Sequence, residues 1–151
     1  MKFFTRLSNV VISGLFFLCF GCTENSLQKN AITIKVDKDS IPMGRSVILT
    51  AHLNLKPGEL AKDYLLLPFV NQRRWGSHER PDSSGNATFL LPLPNQGKSE
   101  IQVIAIKAES GNWMGISDRK LLLAGNLMPD TCRKSNEISV LVKKAYNAGT
   151  N

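Results

Sequence analysis

From residue 31 onward the chain repeats one pattern: apolar side chains at every second position, in short runs, with proline or glycine between the runs. That period puts alternate side chains on opposite faces of an extended strand and is incompatible with the 3.6-residue repeat of a helix. Ile32, Ile34 and Val36 share one face while Thr33 and Lys35 take the other. Val47, Leu49, Ala51, Leu53 and Leu55 form a second apolar face, backed by Ser46, Thr50, His52 and Asn54. Tyr64 to Val70 is apolar on both faces, the signature of a strand that is central or covered twice. Pro68 within it lacks an N–H, so it belongs at a bulge or where the strand leaves its partner. Arg73 to His78 reads as a short fourth strand. Ala87, Phe89, Leu91 and Leu93 mark a fifth, Ile101 to Ala108 a sixth, and Ile138, Val140 and Val142 a seventh.

Turn chemistry separates these runs. Asp39–Gly44, Pro57-Gly58, Pro81–Gly85 and Pro94–Gly97 all combine proline or glycine with small polar residues. No ten-residue stretch after residue 30 shows a helical period, and Leu60–Tyr64 has room for one helical turn at most. Seven short strands with this spacing predict an all-β fold, a seven-stranded immunoglobulin-like antiparallel β-sandwich over residues 31–144. Its expected core is Val47, Leu49, Leu53, Phe89, Leu91, Val103, Ile138 and Val140.

The first residues carry a different message. Lys2 and Arg6 form a positive head, Val10 to Phe20 is an apolar run, and Gly21-Cys22 follows. The run is shorter than the roughly 20 residues a spanning helix needs, and head, core and small residue together mark a secretory signal. Cys19-Phe20-Gly21-Cys22 resembles the bacterial lipoprotein signal, although Cys19 stands where leucine is usual and Leu18 lies one step further out. The resemblance implies loss of residues 1–21 and a palmitate-type acyl chain on Cys22, holding the protein to a membrane of the bacterial envelope and facing periplasm or exterior. Ordinary secretion and a retained signal-anchor stand as alternatives. Residues 22–30 then serve as a polar tether and residues 145–151 as a tail.

The stretch Asp82-Ser83-Ser84-Gly85-Asn86-Ala87-Thr88-Phe89-Leu90-Leu91-Pro92-Leu93-Pro94, followed by Gly97 and Ile101-Gln102-Val103, resembles bacterial immunoglobulin-like (Ig-like) modules. With Leu67-Pro68-Phe69-Val70 and Trp75-Gly76 ahead of it, it is also similar to Ig-like modules of secreted surface proteins and to those found beside glycosidase domains. The resemblance implies structure or binding rather than catalysis. The Cys–Trp–Cys core of antibody domains is absent.

Charge and reactive residues narrow the function. The chain carries 19 Lys and Arg against 12 Asp and Glu, a net +7, which falls to +5 when Lys2 and Arg6 leave with the signal. The charges are scattered, so the clustered footprint of a nucleic-acid binder is missing. Cys132 has no partner once Cys19 is removed and Cys22 is acylated, and a paired-cysteine metal site is excluded by the count. His78, Glu79 and Asp82 share a loop but lack a third group to orient a base. His52 falls on a polar strand face. No nucleophile elbow, phosphate loop or zinc-protease motif is present. Asp82–Asn86 offers too few carboxylates for calcium, so no cofactor is expected and the loop reads as a plain turn.

Two features remain for binding. Trp75, beside Arg73, Arg74, Ser77, His78 and Glu79, and Trp113 could each stack on a sugar ring; a core tryptophan is the alternative for Trp75. Residues 109–135 exceed what a sandwich turn requires and are too apolar for disorder: Trp113-Met114, Leu121-Leu122-Leu123, Leu127-Met128 and Cys132 all lie there. Leu121–Ala124 could add an edge strand; otherwise these side chains form an exposed contact patch. In an Ig-like order this segment, Lys56–Asp63 and Glu79–Gly85 gather at the pole where the chain enters, within the ~30 Å reach of the tether. The expected function is a non-enzymatic, membrane-anchored binding or structural module for another envelope protein or surface component. The alternative is a carbohydrate-binding accessory module using an exposed tryptophan on a surface glycan.

Overall fold

A computed structural model describes residues 31–109, 113–127 and 131–144. Cys22, the signal, the tether, Met128 and the tail lie outside the described residues. The fold is mostly β. Its strands are β1 (Ile32–Val36), β2 (Ser40–Pro42), β3 (Ser46–Leu53), β4 (Tyr64–Val70), β5 (Arg73–Arg74), β6 (Asn86–Pro92), β7 (Gly97–Lys107), β8 (Cys132–Lys134) and β9 (Ile138–Lys143). One helix, α1 (Asp118–Leu127), and two 3-10 turns, Ala61–Asp63 and Trp113–Gly115, complete the described elements.

The strands form two sheets, β1-β3-β6 and β2-β9-β7-β4-β5, with β8 also beside β7. Strands stand in all seven expected places, but the fourth, expected over Arg73 to His78, is only Arg73–Arg74. The count of seven and the purely antiparallel order are corrected by β2 and β8, because β2 runs parallel to β9. Ile41 explains β2: its side chain is buried in the main core, and Met43 N–H donates to Lys143 O at 2.8 Å just beyond the pairing.

The inner faces of both sheets make one core. Ile32, Val47, Leu49, Leu53, Phe89 and Leu91 from the first sheet meet Tyr64, Leu66, Ile101, Val103, Val140 and Val142 from the second. Every expected core residue is there, with Ile138 half-buried at the margin.

The outer face of the second sheet is covered as well. Leu65, Leu67 and Phe69 of β4 and Ile104 and Ile106 of β7 pack beneath Trp113, Leu121 and Cys132. This second core accounts for the two-sided apolarity of Tyr64–Val70. It also overturns the reading of residues 109–135 as surplus loop, since of its described residues Trp113 and Leu121 cover the sheet as a third layer and Cys132–Lys134 joins it as a strand. Leu121–Ala124 lies in α1 rather than in an edge strand; the added strand is β8, pairing Cys132–Lys134 with Ile104–Ile106. Gly125 shows how closely α1 lies on β8: a Cβ there would stand 2.8 Å from Lys134 Cβ. Gly125→Ala should therefore destabilise the protein by about 1–3 kcal/mol, as overpacking does, against the ~1 kcal/mol that helix propensity alone would gain. Urea unfolding measures the sign.

Register sets the two poles. β1 begins opposite the end of β3, with Ile32 across from Leu53. Asn54 N–H donates to Ala31 O at 2.9 Å, Leu53 N–H to Gly85 O at 2.8 Å, and Ala108 N–H to Asp63 O at 2.7 Å. The chain entry and the loops after β3, β5 and β7 therefore share one pole, as the Ig-like order predicted. The β4–β5 and β6–β7 turns lie at the other, one strand length away, about 27 Å for an eight-residue strand.

Candidate functional site

Three polar clusters surround this frame. At the entry pole, Arg133 is 2% exposed yet charged. Its Nη2 donates to Glu59 Oε1, its Nη1 to Asn54 O at 3.3 Å, and its guanidinium lies 5.1 Å from the Tyr64 ring centre. Glu59 also accepts from Tyr64 Oη at 3.0 Å and from Lys56 N–H at 2.7 Å. Burial pushes the Glu59 carboxyl up, but the bonds from Arg133, Lys56 N–H and Tyr64, with the Arg133 charge, outweigh it and bring the value down to about 2. Burial, followed by the bond to Glu59, pushes the Tyr64 hydroxyl up to about 12. Glu59 is thus ionised and Tyr64 protonated across the neutral range, and neither exchanges a proton there. The cluster clamps the Lys56–Asp63 loop onto β8 and is suited to structure, not proton transfer.

The second cluster brings together His78 and Trp113, two of the residues singled out in the sequence. His78 stands edge-on to Trp113, with ring centres 4.9 Å apart. Arg74 places its guanidinium 5.8 Å from the Trp113 ring. Asp118 holds Arg74 from α1, accepting from its backbone N–H at 3.0 Å and lying 3.2 Å from its Nε. A cavity of about 130 Å³ remains between Pro68, His78, Trp113 and Met114. Pro68 is where expected. Leu66 pairs with Glu79, Trp75 N–H donates to Pro68 O at 2.9 Å, and Gly76–His78 bulge out opposite the missing N–H. Trp113 is only 9% exposed and Leu121 2%, Leu122 is half-buried, and Leu123 alone is exposed. The contact patch expected from these four residues does not form, because Trp113 and Leu121 are the apolar underside of the third layer.

The remaining reactive groups have structural employment. Asp82 accepts from Asn86 N–H and Ser84 N–H, each at 2.9 Å, bonds that hold its carboxyl below the usual range. Glu79 is engaged through its backbone. Burial pushes the Cys132 thiol up to about 11, the condition of an inert cysteine. Among the described residues no group of three His, Cys, Asp or Glu side chains converges as metal ligands would.

The third cluster surrounds Trp75 at the far pole. Side chains alternate across β5 and its continuation, so Arg74 faces the Trp113 layer while Arg73 and Trp75 line the opposite side. Trp75 is half-buried against the margin of the main core. Beside it opens a recess of about 250 Å³, floored by Val70 and Leu93 and walled by Asn71, Arg73, Pro94, Asn95 and Ser99. Asn71 (φ 49°) and Gln72 (φ 65°) form a two-residue hairpin turn with both residues left-handed. Asn71 is locked by exchanging bonds with Glu100, each 2.8 Å. The side chains of Arg73, Asn95 and Ser99 make no hydrogen bond to another described residue. Their donors and acceptors are thus unspent around an aromatic wall. Trp75 was visible in the sequence by residue type and Arg73 by adjacency; Asn95 and Ser99, from a turn and a distant strand, were not.

The chain matches no protein-family model, and no curated protein matches it in sequence.

Proposed function

We propose that this chain is a lipid-anchored protein of the bacterial cell envelope whose Ig-like domain is a non-catalytic binding module for another envelope or surface component. Residues 1–21 act as the lipoprotein signal and Cys22 as the acylated first residue. The strand order supports the Ig-like reading: β1-β3-β6 and β9-β7-β4-β5 follow the A-B-E and G-F-C-C′ order of immunoglobulin sandwiches. No helix among the described residues is long and apolar enough to cross a membrane.

The observation that carries the binding reading is the place of the Trp75 recess. It opens at the pole opposite Ala31, so a tether running from Cys22 directs it away from the membrane and toward whatever lies beyond. Its unspent polar groups beside a half-buried indole favour a second reading within this one, a carbohydrate-binding module working through Trp75.

Anchoring is tested by metabolic labelling with a fatty acid. Wild type should take up label and partition into membranes; Cys22→Ser should do neither, because stable anchoring takes two or more acyl chains. Label on the Cys22→Ser protein, or none on the wild type, would contradict the assignment.

A further inference from the structure

We infer that the Trp75 recess binds a sugar ring bearing a carboxylate, a hexuronic acid unit of an acidic glycan. The inference rests on the binding-module reading and names its ligand class.

The lining dictates the ligand. Trp75 offers an apolar surface next to polar groups, the arrangement that accepts one face of a pyranose. Asn95 and Ser99 supply hydrogen-bonding capacity for ring hydroxyls, and neither is committed within the described fold. Arg73 is the only charged residue in the lining. Its guanidinium forms paired, charge-assisted hydrogen bonds with a planar carboxylate, which a neutral sugar cannot offer. The nearest acid along β7, Glu100, is paired with Lys98 at 3.0 Å, which offsets part of its repulsion of an incoming anion. The volume, about 250 Å³, lies just below the ~300–1,000 Å³ of pockets for drug-sized ligands and suits one ring. Preorganisation is built in: Asn71 fixes the hairpin to β7, and Val70 and Leu93 are core residues.

The test titrates full-length protein in detergent with tri-galacturonate and, separately, a neutral galactose trisaccharide, followed by calorimetry and tryptophan fluorescence. Sodium acetate at matched concentration controls for a bare carboxylate. The acidic trisaccharide should bind at least ten-fold more tightly than the neutral one, and acetate should not compete. Arg73→Gln, on an exposed side chain, should preserve the melting temperature and erase that ten-fold preference. Trp75→Phe, which retains an aromatic wall, should weaken the acidic sugar and remove most of the fluorescence change. Equal affinity for the two sugars, an unchanged preference in Arg73→Gln, or no binding of either sugar would overturn the inference. If neither sugar binds while the recess still captures an envelope protein in cells, the ligand class falls and the module reading survives.

Discussion

Trp113→Ala loses about 3–5 kcal/mol of folding stability, the range for deleting a buried large aromatic side chain. The indole is 9% exposed and belongs to the second core with Leu65, Leu67, Phe69, Ile104 and Ile106. It also backs the edge-on His78 ring and the Arg74 guanidinium. Its loss opens a cavity under the third layer and loosens the Arg74–Asp118 link between β5 and α1. Leu123→Ala, on the same segment but 50% exposed, should stay within about 0.5 kcal/mol. Urea unfolding of the two variants separates a covering layer from a free loop. A Trp113→Ala loss below about 1 kcal/mol would return residues 109–135 to the surface.

Arg133→Ala should be comparably damaging, about 3–5 kcal/mol, the cost of removing one partner of a buried charge pair. It takes the opposite charge from Glu59 and the packing from Tyr64 together. A paired replacement, Arg133→Met with Glu59→Gln, should recover much of that loss, because neither side then carries a buried charge. The same pair makes a pH signature. The Glu59 carboxyl sits at about 2 in the fold against an ordinary 4.5, a depressed value. Its contribution is complete above pH 4.5 and disappears as the pH falls toward 2. Wild type should lose stability across that window, and Glu59→Gln should show a shallower slope. Equal slopes would mean that the Glu59–Arg133 pair does not hold the entry pole.

Particular residues explain what could be read from the sequence. Val47, Leu49, Ala51 and Leu53 alternate cleanly because one face of β3 meets the other sheet and one meets water, so the period survives in the residue string. Tyr64–Val70 signalled a second covered face, but not its cover. Among the described positions of α1, Leu121 and Gly125 are the buried ones, a pair that does not establish a helical period, and its Leu121–Ala124 run has the composition of a strand. β2 and β8 are three residues each, shorter than any alternation can reveal. Trp113 and Trp75 looked alike as residue types. What divides them is the face each takes: Trp113 lies under the third layer, while Trp75 follows Arg73 by two positions to the far-pole recess. Asn95 and Ser99 joined that recess only through the pairing of β7 with β4, which brings the β6–β7 turn beside β5.

We propose that the Trp75 recess faces a partner beyond the membrane to which the chain is tethered. A photo-crosslinking amino acid placed at Asn95 of the whole chain expressed in cells tests that orientation. A discrete adduct with an envelope or surface component is expected from position 95, weakened by Trp75→Phe and absent when the crosslinker sits instead at Pro57 on the entry pole. No adduct from position 95, or the same adduct from both poles, would contradict it.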